Sequence, residues 1–187
     1  AVFLLVWFQN CQPTADQPLA EKDFVMIFSD EHLLLRSALR DRLWDKKTGE
    51  VKGEIKKMIK KYERHDAKFP WEWVHTMAEL GLTGINIPTA YGGAEMDNLC
   101  GVVAMIELSK VWAGGALVLG VGNSLAADPL VKSGTEEQNN RWLPDLAAGK
   151  ILGCFGLTEP EHGSDAATIE TYAERQSPST WHVYGTK

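Results

Sequence analysis

Cysteine and positive charge are both scarce in this sequence of 187 residues, and each shortage excludes a class of protein. The three cysteines, Cys11, Cys100 and Cys154, form no Cys-x-x-Cys pair and no cysteine–histidine spacing that suits tetrahedral zinc. We therefore expect no bound metal and a reducing compartment. The formal net charge of -6 argues against nucleic acid as a partner, because proteins that bind it gather Lys and Arg on one face.

A long apolar run is also missing from the start of the chain. Residues 1–8 are apolar, but a bilayer span needs about 20 such residues, and no basic residue precedes them. We expect neither a signal peptide nor a membrane span. Residues 1–24 are interpreted as a leader or a fragment boundary, to which no function is assigned.

Apolar residues recur at helical spacing from Ser29 to Lys150. Ser29 and Pro70 mark helix starts, Gly81 suits a left-handed helix end, and residues 98–111 and 116–132 are predicted as two buried helices. Thr135 and Gln138 have capping-box spacing. These patterns predict an all-helical domain over residues 25–150.

The pattern changes to β after Lys150. Residues 151–157 form an apolar run, residues 169–173 and 181–184 alternate with period two, and turn residues 176–179 lie between them. We predict the start of a middle β domain over residues 151–187. A sheet with so few strands is not stable by itself. The sequence therefore predicts a truncated α+β protein.

Two segments carry residues that suit ligand binding. Gly120-Val-Gly122-Asn-Ser-Leu125 approaches the dinucleotide fingerprint, but Leu125 replaces the last glycine and no βαβ pattern surrounds it, which favours small-residue packing in a helix. The second segment, residues 154–165, joins the apolar run to a polar turn. Its hydroxyls and Gly163 suit an anionic ligand, whereas the alternative is a plain polar connection.

Phe155-Gly-Leu-Thr-Glu-Pro160, followed by Gly163-Ser-Asp165, resembles the signature of the acyl-CoA dehydrogenases. Further motifs of this family follow in the same order: Leu80-Gly-Leu82, Ile87-Pro88, Tyr91-Gly-Gly93, Gly134-Thr-Glu-Glu-Gln138, Trp142-Leu-Pro144 and Gly149-Lys150. The resemblance covers residues 29–187. It implies an N-terminal helical domain, a middle β-barrel domain that begins in this chain, and a C-terminal helical domain.

The resemblance implies FAD as the cofactor and acyl-CoA as the substrate. The residues that would line FAD are Phe155, Gly156, Leu157, Thr158, Gly163 and Ser164. The Thr158 hydroxyl would lie near flavin N5 and O4, and Ser164 would also contact acyl-CoA. Glu161, His162 and Glu95 depart from the usual residues, Glu95 standing where the family often has glycine.

The reaction implied is oxidation of an acyl-CoA to the 2,3-enoyl-CoA, in fatty acid or amino acid catabolism. The glutamate that removes the α-proton is expected beyond Lys187, so no catalytic residue is assigned and the chain alone is expected to be inactive. The segment Cys154-Phe-Gly-Leu-Thr-Glu-Pro160 resembles the glutaryl-CoA subgroup, but residues 113–119 lack the arginine that this subgroup uses to bind the distal carboxylate of its substrate. Two alternatives stay open: an acyl-CoA oxidase of the same fold and a non-catalytic helical binding module.

The resemblance also implies the partners and the cellular location of the protein. The expected oxidant is an electron-transferring flavoprotein, and the complete protein is expected to be a homo-oligomer. The expected location is the cytoplasm of a prokaryote or the mitochondrial matrix.

Overall fold

The computed structural model describes residues 28–64 and 66–187, so the interpretation of residues 1–24 lies outside the described residues. The described chain contains six α-helices and one hairpin: α1 Asp30–Leu43, α2 Gly53–Tyr62, α3 Trp71–Glu79, α4 Asn98–Gly120, α5 Asp128–Ser133, α6 Glu136–Ala147, β1 Tyr172–Ser177 and β2 Thr180–Tyr184. Short 3₁₀ turns occupy Leu82–Gly84, Thr89–Tyr91 and Ala166–Thr168, and a π-helical segment, Val121–Ala127, joins α4 to α5. The predicted α+β order is confirmed, with helices first and the start of a sheet after them.

Three helix boundaries lie where the sequence predicts them. The Thr135 hydroxyl accepts the Gln138 backbone N–H at 3.2 Å, and the Gln138 side chain accepts the Thr135 N–H at 2.8 Å. Ser29 is the N-cap of α1, and Gly81 follows α3 with a φ of 71°. Local side-chain chemistry therefore defines these boundaries.

The main core lies between α1, α2, α3 and α4. Its fully buried members include Leu39, Leu43, Trp73, Met77 and Leu108. A second cluster of buried residues joins the turn after α3 to α6 and consists of Ile87, Ala127, Leu143, Leu146 and Ala147. The helical part thus has enough apolar surface to form its own core.

The two helices predicted over residues 98–111 and 116–132 lie within one helical stretch, Asn98–Ser133, which is interrupted by a kink at Trp112. The Trp112 backbone has φ -156° and ψ 97°, and its ring packs edge-on against Trp73, 5.7 Å between centroids. Among the described residues, this stretch is the one that is long and apolar enough to cross a membrane. A core helix of a soluble protein passes the same test, and 44% of its most apolar window is buried. The absence of a membrane span stays a prediction.

The sheet in the described chain is a two-stranded antiparallel hairpin that pairs Tyr172 with Tyr184 and Arg175 with Trp181. Its turn at Pro178 and Ser179 lies within the predicted turn. The predicted strand over residues 151–157 is wrong, because the backbone there forms no ladder with another described segment. The domain boundaries at residues 25–150 and 151–187 stay predictions.

Candidate functional site

The loop of residues 154–165 leads from the helical part to the hairpin and lies at the surface. All six residues predicted to line FAD, namely Phe155, Gly156, Leu157, Thr158, Gly163 and Ser164, are exposed. Phe155 is 51% exposed and Leu157 38%, which is unusual for large apolar side chains in the same loop. The loop therefore presents apolar surface and polar groups together.

The two hydroxyls of the predicted site are available to a ligand. Neither Thr158 nor Ser164 uses its hydroxyl in a hydrogen bond to another described residue. A Cβ added to Gly163 would meet no heavy atom within 4 Å, so the backbone there is open to close approach. Two hydroxyl donors, an open glycine backbone and the exposed side chains of Phe155 and Leu157 are therefore accessible to a ligand in this loop.

Glu159 differs from its neighbours because its side chain is only 7% exposed. The carboxylate accepts the backbone N–H groups of Glu170 at 2.6 Å and Thr171 at 3.0 Å, and lies 2.8 Å from Lys187 Nζ. The hydrogen bond from Lys187, together with those from Thr171 and Glu170, lowers the pKa of Glu159 to about 2. Glu159 is therefore an ionised group that holds the loop to the hairpin.

The rest of the loop is closed by its own hydrogen bonds. The Glu159 N–H donates to the His162 carbonyl at 2.9 Å, and the His162 N–H donates to the Glu159 carbonyl at 3.2 Å. His162 Nδ1 lies 2.9 Å from the Thr168 hydroxyl. His162 thus closes the turn locally, as expected for a lone histidine in a polar turn.

Lys187 is the contact that sequence reasoning missed. Its Nζ donates to the Leu157 carbonyl at 2.9 Å besides pairing with Glu159. Leu157 and Lys187 are 30 positions apart, and no sequence pattern predicts a contact over that distance. The contact is seen only once the hairpin is folded.

A second cluster consists of side chains of the types that ligate metals, and in this structure they take part in hydrogen bonds. Ligand atoms of His32, Asp97 and Cys100 lie within 4.8 Å of one another. His32 Nδ1 accepts the Ser29 N–H at 2.8 Å, which places the ring proton on Nε2, where it donates to Asp97 at 2.9 Å. Burial, and then the nearby Asp97, raise the pKa of the Cys100 thiol to about 11. The cluster is a hydrogen-bonded tie between the starts of α1 and α4.

A cavity of about 310 Å³ opens between α1 and α4 and is lined mainly by Phe28, Leu33, Val103 and Ile106. None of the residues predicted from the sequence to bind FAD or acyl-CoA lines it. The predicted site and this cavity are therefore separate features.

Comparison with known proteins gives consistent results. A family model described as "Acyl-CoA dehydrogenase, N-terminal domain" matches residues 29–150. The short-chain specific acyl-CoA dehydrogenase of Bos taurus mitochondria is 40% identical over 120 residues, which are 64% of this chain and 29% of that protein. The chain thus covers less than a third of this relative's length.

Two solved structures match most of the chain. Glutaryl-CoA dehydrogenase from Mycobacterium smegmatis is 33% identical with a TM-score of 0.68, covering 86% of this chain and 39% of its own. An acyl-CoA dehydrogenase from Bacillus anthracis, complexed with FAD, is 28% identical with a TM-score of 0.69, covering 94% of this chain and 28% of its own. The helical fold and the family match agree, and this chain belongs to the acyl-CoA dehydrogenase family.

Proposed function

We propose that this protein oxidises an acyl-CoA thioester to its 2,3-enoyl-CoA and uses FAD as the cofactor. The observation that carries the proposal is the exposed loop of residues 154–165, in which the family signature holds unbonded Thr158 and Ser164 hydroxyls. The FAD complex of the Bacillus anthracis relative supports the choice of cofactor. When bound, FAD supplies the acceptor for the hydride that leaves the β-carbon.

The proposed cofactor site consists of the six exposed loop residues Phe155, Gly156, Leu157, Thr158, Gly163 and Ser164. Thr158 would donate a hydrogen bond to the flavin edge, and a donor there would stabilise the negative charge that the flavin takes up on reduction. Gly163 would let the backbone approach the pyrophosphate. Ser164 would in addition contact the acyl-CoA.

Glu159 is not proposed as the base that removes the α-proton. Its carboxylate is engaged by Glu170, Thr171 and Lys187, and its pKa of about 2 makes it a poor proton acceptor near neutral pH. We assign no catalytic base among the described residues.

We propose an electron-transferring flavoprotein as the oxidant of the reduced protein, as the family resemblance implies. The mitochondrial relative is consistent with a matrix location, and bacterial relatives with a cytoplasmic one. A homo-oligomer is proposed from the family resemblance.

The experiment is anaerobic titration of the purified complete gene product with acyl-CoA thioesters. Short-chain thioesters come first, because several relatives are short-chain specific. We expect a yellow protein whose flavin absorbance bleaches on addition of substrate. In a separate aerobic assay, rapid oxygen uptake would instead indicate an acyl-CoA oxidase. A colourless protein that titrates no FAD would indicate a non-catalytic helical module.

The first prediction concerns the Thr158 hydroxyl. Thr158→Val keeps the side-chain shape and removes the donor, so we expect kcat to fall about 100-fold, the magnitude typical of one lost charge-stabilising donor. Thr76→Val is the matched control, because the Thr76 hydroxyl bonds only to the Glu72 carbonyl on α3, 2.9 Å away. Equal rates for the two variants would contradict the role of Thr158.

A further inference from the structure

One carboxylate and one ammonium group join the loop of residues 154–165 to the hairpin. We propose that Glu159 and Lys187 are positioning residues, which fix the backbone on both sides of Thr158 and so hold its hydroxyl in place for the flavin. This inference rests on the proposed function. It concerns residues that act through Thr158 and that need no contact with the substrate.

The carboxylate joins the loop to the entrance of the hairpin. Glu159 Oε2 accepts the Glu170 N–H at 2.6 Å and Oε1 accepts the Thr171 N–H at 3.0 Å. These two amides immediately precede β1, which begins at Tyr172. Hydrogen bonds from backbone amides to an ionised carboxylate are about twice as strong as those between neutral groups. The two bonds therefore hold the loop strongly to the start of the hairpin.

The ammonium group completes the arrangement from the far end of the hairpin. Lys187 Nζ lies 2.8 Å from Glu159 Oε1 and donates to the Leu157 carbonyl at 2.9 Å. The residues before and after Thr158 are therefore bound to the same ammonium group. The stem of Lys187 also lies beside Gly156, where an added Cβ would be 3.4 Å from the Lys187 Cβ.

The hydroxyl between these two attachments is left unbonded. Leu157 and Glu159 are tied down through a carbonyl and a carboxylate, whereas the Thr158 side chain is exposed and makes no hydrogen bond to another described residue. A donor is effective when its surroundings hold it within about 0.5 Å of the productive position. The network supplies such support without occupying the donor.

The test uses the complete gene product with the variants Glu159→Gln, Lys187→Met and the double variant. We expect each single change to weaken FAD binding about tenfold, and the double change to add little more, because both break one network. Hydrogen–deuterium exchange in the peptide over residues 155–172 should accelerate in all three. Lys187→Arg should restore affinity, because a guanidinium can donate to both acceptors.

A spectroscopic signature separates positioning from general stability. With saturating FAD, Glu159→Gln should shift the flavin absorption band in the same direction as Thr158→Val. Asp128→Asn is the matched control, since Asp128 pairs with Lys132 at the same 2.8 Å and should change neither spectrum nor affinity. A wild-type spectrum and wild-type affinity in Glu159→Gln would overturn the inference.

The proposed function and this inference fail in different ways. If the wild-type protein binds no FAD, the proposed function is wrong, and the exchange measurement still decides whether Glu159 and Lys187 fix the loop. If the wild-type protein binds FAD and the variants bind it equally well, the proposed function stands and the positioning role is wrong.

Discussion

Gly93 lies where any side chain would collide with neighbouring backbone. A Cβ at this position would collide with the Ile87 carbonyl oxygen, and the Gly93 N–H donates to the Pro88 carbonyl. Gly93 is thus required because the Ile87 backbone lies too close to leave room for a side chain. Gly92 has a different reason, since its φ is 81°.

We predict that Gly93→Ala destabilises the protein by about 3 kcal/mol, because the backbone of Ile87 must move to admit the methyl group. Gly122→Ala is the control, since a Cβ there would meet nothing within 4 Å in a helical backbone, and a small gain in stability is expected. Urea unfolding monitored by tryptophan fluorescence measures both. Equal unfolding midpoints for the two variants would contradict the steric argument.

Glu95 shows how a departure from the family pattern is accommodated. Its φ of 52° explains why glycine often stands at this position. The Glu95 carboxylate accepts the Thr89 hydroxyl at 2.6 Å and the Thr89 N–H at 2.9 Å, and these bonds lower its pKa. The bonds offset the cost of the left-handed backbone, so the loop keeps its shape with a glutamate.

At the scale of elements, the start of α6 is the clearest case of local control. Thr135→Ala removes the hydroxyl that caps the Gln138 N–H, so we predict a loss of about 1 kcal/mol in unfolding free energy. Ser133→Ala is a suitable control, because Ser133 ends α5 and caps no helix start. Thermal unfolding by circular dichroism compares them, and an unchanged Tm in Thr135→Ala would contradict the capping role.

The α4 region shows a helix break that the sequence predicts and a packing contact that it does not. Residues 112–115 lie between the two predicted helices, and the backbone at Trp112 is non-helical. The Trp112 ring packs on Trp73 of α3, about 40 positions earlier. Residues 151–157 form no strand, because β structure depends on a paired partner.

At the scale of the whole molecule, one buried carboxylate ties α1 to α4. Glu107 is 1% exposed and accepts from Arg36 at 3.1 Å, Arg40 at 3.0 Å and Lys110 at 2.9 Å. Burial raises the pKa of Glu107, but the hydrogen bonds from Arg40 and Lys110 outweigh it and leave the pKa below its ordinary value of 4.5.

We predict that Glu107→Gln lowers the unfolding free energy by about 2 kcal/mol at neutral pH, because the three cations lose their counter-charge. Since the folded pKa is depressed, the contribution of Glu107 is present above the unfolded pKa near 4.5 and is lost as pH falls through the folded value. The difference between wild type and variant should therefore shrink on acidification. Denaturant titrations at several pH values measure it, and a constant difference would contradict the role of the charge.

The sequence by itself determined the helix starts, the α+β order and the family, because capping residues, hydrophobic period and signature motifs are local patterns. It also identified the exposed loop of residues 154–165. Only the tertiary structure decided that Lys187 binds Leu157 and Glu159, that Trp112 packs on Trp73, and that residues 151–157 pair with no described strand. The physical reason is that each of these outcomes depends on a partner distant in sequence, and the approach of such partners is set by the packing of the whole chain.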